Sequence, residues 1–121
     1  MGGKAGLGKK PELAVSQESI EHYERLIATC KGAERKGKTT PYTSRNGHMF
    51  SFLSKDSALN LRLPTDKREA FLKKHKTVLS VQYGSVMKEY VVVPMSLLAR
   101  PRALTADFAA SWSYIGTLKP K

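Results

Sequence analysis

The residues most suggestive of phosphate binding lie near the start of the chain, in Gly3-Lys-Ala-Gly-Leu-Gly-Lys-Lys10. They match the pattern G-x-x-x-x-G-K-[ST] except at its last position, where a hydroxyl would hold Mg²⁺ and Lys10 stands instead. A working loop also needs a buried strand before it and a helix after it, whereas two residues precede this stretch and Pro11 follows it. We therefore interpret the match as fortuitous and expect no nucleotide and no other cofactor.

Metal-binding and nucleophilic side chains are scattered along the chain. His22, His48 and His75 fall on different predicted elements, and none stands at metal-ligand spacing from another histidine or from Cys30. Cys30 lies on the apolar stripe of a predicted helix, which favours a small buried hydrophobe over an activated thiol. No serine lies in a G-x-S-x-G elbow, and no pair of carboxylates stands out for acid–base catalysis. The sequence predicts no metal site and no catalytic residues, and hence a protein that is not an enzyme.

Positive charge is the most pronounced chemical property of the sequence. The formal net charge is +11. Residues 1–37 carry seven basic and five acidic side chains, whereas residues 38–121 carry fourteen and five. The excess thus lies in the part expected to fold, where it would attract polyanions at long range and lose that attraction in salt. The alternative explanation is that the charge serves solubility.

A candidate polyanion patch lies around the end of the second predicted helix and beyond the last strand. Its members are Lys67, Arg68, Lys73, Lys74, Lys76, Arg100 and Arg102. They would bind phosphate together if the fold brings them onto one surface. The competing explanation is that the lysines near His75 complement the helix dipole. The aromatic residues lie at core-like spacings instead of interleaving with these charges, so nucleic-acid binding stays an alternative hypothesis.

The elements that must position these side chains begin with a helix. Ser16 predicts its N-cap and Gly32 its C-terminal stop, and apolar residues between them repeat at helical spacing. Residues 38–63 then predict a three-stranded meander, in which Asn46-Gly47 is a strong hairpin signal. We expect Phe50 and Phe52 on one face of the second strand. The third strand, Ala58 to Leu63, alternates leucines with Asn60 and Arg62, which predicts a half-buried strand.

The second half of the chain predicts a helix, two strands and a final helix. Pro64 ends the third strand, and Thr65 is expected to cap a helix from Asp66 to about His75. Strands follow over residues 77–83 and 86–93, with a turn at Gly84-Ser85 between them. The apolar run Val91-Val92-Val93 predicts a strand covered on both faces. A single turn over 96–99 and a helix from Arg102 to Leu118 complete the order α-β-β-β-α-β-β-α. It predicts an α+β fold with an antiparallel five-stranded sheet packed by helices.

The length of 121 residues suits one domain. We expect residues 1–12 to form a disordered basic tail and residues 13–121 a single domain. The single cysteine excludes an internal disulfide. No apolar run reaches the roughly 20 residues needed to span a bilayer, and no secretory signal opens the sequence. We therefore expect a cytoplasmic protein that has no membrane partner.

The stretch from Gly47 to about Leu118 resembles the N-terminal domain of TfoX-type competence regulators. The resemblance is carried by Gly47-His-Met-Phe, Leu59-Asn-Leu-Arg, Lys67-Arg-Glu-Ala-Phe, Tyr90-Val-Val-Val-Pro94 and Leu97-Leu98, with Trp112 in the terminal helix. It implies the secretion-chaperone-like α+β fold shared with YjbR-type proteins. It also implies a non-enzymatic module, linked in some members to the regulation of DNA-uptake genes.

Three hypotheses on function follow. The first is a small interaction domain that acts by contacts with an unidentified protein partner. The partner could be a second copy of the chain, in a homodimer formed through a sheet edge or a helix face. The second is a basic accessory protein associated with nucleic acid. The third is a small-ligand-binding protein or an enzyme, which would require a pocket between sheet and helices with converging ionisable groups.

Overall fold

One antiparallel sheet and four α-helices make up the computed structural model, which describes residues 15–121. The helices are α1 (Gln17–Ala28), α2 (Thr65–His75), α3 (Met95–Leu98) and α4 (Thr105–Gly116), and a 3-10 turn (Pro101–Leu104) precedes α4. The strands are β1 (Tyr42–Arg45), β2 (His48–Leu53), β3 (Leu59–Arg62), β4 (Leu79–Gln82) and β5 (Ser85–Val93), in the spatial order β1-β2-β3-β5-β4. The predicted fold class and element order are confirmed. The predicted tail and the phosphate-loop-like stretch lie outside the described residues.

Helices α1 and α4 cover one face of the sheet. From α1, the Tyr23 hydroxyl shares a hydrogen bond with Ser51 Oγ of β2, 2.5 Å away. From α4, the rings of Phe108 and Trp112 pack against Phe50 with centroids 5.4 and 5.8 Å apart. Ile115 of α4 is fully buried as well. The core lies between this sheet face and the helices, as expected of an α+β architecture.

A β-bulge changes the facing of the second strand. Thr43 pairs with Ser51 but Ser44 pairs with Met49, so Phe50 is an extra residue in β2. Phe50 and Ser51 therefore both contact the helices. Phe52 points to the opposite face, where its ring packs 5.6 Å from that of Tyr90. The expectation that Phe50 and Phe52 share a face is wrong, because the bulge shifts the alternation by one residue.

Helix α1 begins as predicted but ends early. Ser16 Oγ accepts a hydrogen bond from the Ser19 N–H at 3.1 Å, which confirms the N-cap. The helix stops at Ala28, so Gly32 is not its terminal residue. Gly32 has φ +96° in the following turn, where an added Cβ would stand 3.1 Å from the Trp112 ring. Glycine is therefore required there by backbone conformation and by close packing.

The second and last helices start at different residues from those predicted. Thr65 lies inside α2, and the N-cap of this helix is Pro64. The backbone of Pro64 is extended, and its carbonyl accepts the hydrogen bond of the Arg68 N–H at 2.8 Å. The last helix does not begin at Arg102 either. Pro101 opens a 3-10 turn there, and the α-helix begins only at Thr105.

The hairpin between β4 and β5 turns one residue earlier than predicted. Its turn residues are Tyr83 and Gly84, with φ +53° and +77°, and Gln82 pairs with Ser85 across it. Further along β5, Val91 and Val93 are buried whereas Val92 is half-buried. The run of three valines therefore does not indicate a strand buried evenly on both faces, because helices cover only the face that carries Val91 and Val93.

Candidate functional site

The sheet face opposite the helices holds a groove of about 800 Å³. One side is formed by β1 and β2 with the turn after β2, and the other by the hairpin of β4 and β5. Because β1 and β4 are opposite edges of the sheet, a groove lined by both requires that the sheet curl around this face. Its lining is Thr40, Tyr42, Met49, Phe52, Leu53, Ser54, Lys55, Asp56, Val81, Gln82, Tyr83 and Met87.

An aromatic pair stabilises the sheet beneath this groove. Phe52 and Tyr90 pack together, and the Tyr90 hydroxyl donates to the Met49 carbonyl at 2.6 Å, joining β5 to β2 across β3. Burial raises the pKa of Tyr90 to about 12, although the charge of Arg62 opposes the shift. This bond links two strands of the curled sheet beneath the groove.

Asn60 is a buried polar residue on the same sheet face. It pairs with Phe52 on one side and Val92 on the other, and it is 1% exposed where alternation predicted an exposed side chain. Its Nδ2 donates to the Ala58 carbonyl at 3.0 Å, whereas Oδ1 has no partner among the described residues. A buried acceptor without a partner costs free energy.

The chemistry of the lining favours contact over catalysis. Its charged members are Lys55 and Asp56, and the Asp56 carboxylate accepts from the Ser54 hydroxyl within its own turn. Half of the remaining ten groups are aromatic or thioether side chains, which adapt to apolar surfaces. The pocket expected between sheet and helices for an enzyme is therefore not the one formed here. The groove lies on the opposite face and lacks a converging ionisable set among its described lining.

The β4–β5 hairpin exposes apolar side chains beside the groove. Tyr83 is 94% exposed, Val78 65%, Val81 57% and Val86 54%. Met95, at the start of α3, is the other large apolar side chain of the described chain with comparable exposure. Clustered exposed apolar groups mark interaction surfaces more often than scattered ones do. The hairpin and the groove together form one continuous candidate surface.

The predicted polyanion patch is brought together only in part. Lys67, Lys74 and His75 lie on α2 close to Asp107 of α4. Burial raises the pKa of Asp107, and the three positive groups oppose that shift. The local excess of positive charge is therefore reduced by a carboxylate in its midst.

The other members of the predicted patch are either exposed or hydrogen-bonded to backbone carbonyls. Arg68 turns back to the start of its helix, where it donates to the Leu63 carbonyl at 2.9 Å. Lys73 and Lys76 are exposed, and Lys76 ends the helix with φ +51°. Arg100 donates to the Ser96 carbonyl within its own segment at 3.3 Å, and Arg102 is exposed on the 3-10 turn, which packs against α1. Two of the seven residues, Arg68 and Arg100, thus already donate to backbone carbonyls.

An ion-pair network that the sequence did not indicate joins the sheet to α4. Arg62 Nε donates to Glu89 at 2.6 Å, and the Tyr114 hydroxyl donates to the same carboxylate at 3.1 Å. Burial alone would raise the pKa of Glu89, but the Arg62 and Tyr114 contacts outweigh it and leave the pKa below its usual value. All three side chains are engaged with one another, so we interpret the network as structural.

The histidines and the cysteine have structural contacts as well. His48 Nε2 donates to the Lys119 carbonyl at 2.7 Å, and the His75 ring packs 4.4 Å from that of Phe71. Cys30 lies beyond the end of α1 and is half-buried against the core, so it is less buried than predicted. Burial raises the pKa of its thiol, although Arg45 opposes the shift. Within residues 15–121 no three His, Cys, Asp or Glu side chains are grouped so as to hold a metal ion.

The groove was not predicted, because its residues come from four strands and the loops beside them. One signal was available: residues 77–87, which supply the hairpin, contain no charged residue in a chain of which 26% is charged. No described helix has the length and apolarity to cross a membrane. The chain matches no protein-family model, no curated protein and no solved structure.

Proposed function

We propose that this chain is a small interaction domain that binds a protein partner through the groove and the exposed β4–β5 hairpin. The observation that carries the proposal is the apolar groove of about 800 Å³ on the helix-free face of the sheet. Apolar side chains of a partner would enter between Met49, Phe52 and Met87, while Tyr83 would pack against the partner from the hairpin. Aromatic and methionine side chains are enriched at the centres of such interfaces.

The charge of the chain constrains the partner. Residues 38–121 carry fourteen basic and five acidic side chains, so a partner with an acidic surface would be attracted at long range. The groove itself contributes one lysine and one aspartate and adds no strong preference. The partner we propose therefore presents an apolar segment on an otherwise acidic surface. The resemblance to TfoX N-terminal domains supports the same class of function, a non-enzymatic module acting by protein contacts.

The test is affinity capture from the native cell with matched substitutions. Met87→Lys places a charge in the groove, and we expect it to reduce retention of the partner by at least about tenfold, because a buried methionine contributes roughly 1.5–3 kcal/mol. Met95→Lys makes the same chemical change at a methionine outside the groove lining, which is 48% exposed. We expect it to retain the partner as the unsubstituted chain does. Quantitative mass spectrometry on the three baits measures the difference.

Two results would contradict the proposal. One is a set of captured proteins that is the same for all three baits, since the groove would then play no part. The other is equal loss with both lysine variants, which would point to charge alone. Circular dichroism and thermal melts of the purified variants establish that each bait is folded.

Nucleic-acid association is the second candidate function. The observation in its favour is that the charges of Lys67, Lys74 and His75, all on α2, act on the Asp107 carboxyl. Basic side chains grouped on one helix bind phosphates without sequence preference. It ranks below the groove because Asp107 opposes the positive charge and because Arg68 and Arg100 already donate to backbone carbonyls.

A further inference from the structure

The two edges of the sheet differ in how they are protected. At the β1 edge, the backbone of Lys36 pairs with Tyr42 through hydrogen bonds of 2.8 and 3.0 Å. Pro41 precedes the strand, a bulge follows Thr43, and Lys36 Nζ donates to Ser44 Oγ at 2.8 Å. Proline, lysine, bulges and a covering segment are the features by which natural proteins block pairing at a sheet edge. The β1 edge has all four.

The β4 edge shares only one of them, a register shift between Leu79 and Ser80. Leu79–Gln82 contains no proline and no charged residue, and no described segment forms backbone hydrogen bonds with its outer side. Gln82 and Ser85 form the pair that closes a two-residue turn, so Val81 occupies a non-hydrogen-bonded position in the hairpin. Its N–H and C=O therefore point outward. Val81 and Val78 beside it are also more than half exposed.

We propose that a second copy of this chain pairs with the β4 edge. In this homodimer two β4 strands run antiparallel across a two-fold axis, and Val81 exchanges both backbone hydrogen bonds with Val81 of the second copy. The two five-stranded sheets then continue into one another. In a two-fold dimer the same patch of each molecule contacts the other. Val81 meets this requirement, because it presents an outward N–H and an outward C=O that can pair with the same two groups of the second copy.

The distribution of charge favours this edge for self-association. Copies of a strongly basic chain repel each other, so they can approach closely only where charge is absent. Residues 77–87 form an uncharged run of eleven, and Lys76 and Lys88 flank it. This dimer is a separate proposal from the groove-mediated binding above, because it uses the backbone edge of β4 and not the groove. Val81 also lines the groove, so the test must separate the two surfaces.

Sedimentation of the full chain over a range of concentration and salt tests the dimer. We expect the mass to rise from 13.4 kDa to twice that value as concentration increases. Raising the salt should strengthen the dimer, because it screens the repulsion between two basic copies. Val81→Pro removes the outward N–H without adding charge, and Val81→Lys places a protective charge on the edge. Each is expected to weaken dimerisation by at least about tenfold, since two backbone hydrogen bonds are lost or opposed.

Two controls make the outcome decisive. Val86→Lys adds the same charge to the same hairpin at a side chain of similar exposure, but on β5, and should weaken the dimer far less than Val81→Lys. Met87→Lys blocks the groove and should leave the dimer intact. The proposal of groove binding and the proposal of the dimer can therefore be refuted separately. A chain that stays monomeric at high concentration and high salt would overturn the inference, as would a dimer that survives Val81→Pro or one that Met87→Lys abolishes.

Discussion

Glu89 shows how one side chain joins distant parts of the fold. Its carboxylate accepts from Arg62 on β3 and from Tyr114 on α4, and the Arg62 guanidinium lies 5.9 Å from the Tyr114 ring centre. Ser111 adds a further link, since its hydroxyl donates to the Arg62 carbonyl. These contacts position α4 on the sheet, and the groove on the other face depends on the sheet they stabilise.

The lowered pKa of Glu89 makes its contribution to stability depend on pH. A carboxylate whose pKa is lower in the folded state stabilises the fold above the unfolded value of about 4.3, and that stabilisation is lost as pH falls through the folded pKa. Glu89→Gln should therefore lower the free energy of unfolding at neutral pH by about 0.5–1 kcal/mol, the size typical of a partly exposed pair. The loss should shrink towards zero in acid.

Urea denaturation at several pH values measures this dependence. Glu69→Gln is the control, because Glu69 is an exposed glutamate on α2, and it should show little change at any pH. A Glu89→Gln variant with a loss that is the same at neutral and acid pH would show that the charge of Glu89 is not what stabilises the fold.

At the residue scale, the sequence predicted burial well and long-range pairs poorly. Phe108 and Ile115 could be assigned to the core because helical spacing is a local property. Glu89 is 27 residues from Arg62 and 25 from Tyr114, and no spacing rule connects them. Asn60 shows the same limit, because its burial depends on neighbours in two other strands.

At the scale of elements, the two tight hairpins of the sheet make an instructive pair. Asn46-Gly47 and Tyr83-Gly84 both have positive φ at both turn residues, +56° and +83° in the first and +53° and +77° in the second. Asparagine suits the first position of such a turn, and tyrosine does not. The second hairpin thus holds an aromatic side chain, 94% exposed, in an unfavourable backbone conformation. Retained strain of this kind is a reason to examine a residue for function.

Exchanging the two residue types tests the cost of this turn. Tyr83→Asn should raise the free energy of unfolding by about 0.5–1 kcal/mol, because it relieves the left-handed strain. The substitution removes almost no buried surface, since the Tyr83 side chain is exposed. Asn46→Tyr should lower it by a similar amount. Chemical denaturation measures both changes. If Tyr83 serves binding, the more stable Tyr83→Asn variant should also bind the groove's partner more weakly. Equal stabilities for all three chains would show that tyrosine is tolerated in this turn without cost.

The same hairpins show what a sequence can specify about a sheet. The Asn46-Gly47 turn was predicted because its residue types determine its conformation. The bulge at Phe50 was not, because a bulge is a property of two paired strands. That bulge directs Met49 and Phe52 to the groove while Phe50 contacts α4. The groove therefore depends on a register shift between β1 and β2, and the pattern of residues in a single strand does not predict such a shift.

At the scale of the whole molecule, positive charge is spread over the surface more than it is concentrated. Arg62 is paired with Glu89, Arg35 with Glu24, and Arg45 stacks on Trp112 at 4.3 Å. The charges of Lys67 and Lys74 act on the Asp107 carboxyl and oppose the rise in its pKa. A diffuse excess of charge predicts weak, sequence-independent attraction to polyanions and not a dedicated phosphate site.

Titration of labelled DNA and RNA distinguishes diffuse charge from a patch. We expect binding at low salt that is lost by about 0.15 M salt, where the Debye length is about 8 Å. The pair Lys67→Glu with Lys74→Glu changes the net charge by the same amount as the pair Arg100→Glu with Arg102→Glu. Diffuse attraction should weaken equally in both double variants. If binding persists at physiological salt and only the α2 pair abolishes it, α2 carries a nucleic-acid site and the second candidate function replaces the first. No binding even at low salt would contradict the diffuse attraction itself.

Because the proposed dimer strengthens with salt whereas polyanion binding weakens, the sign of the salt dependence separates the two kinds of association.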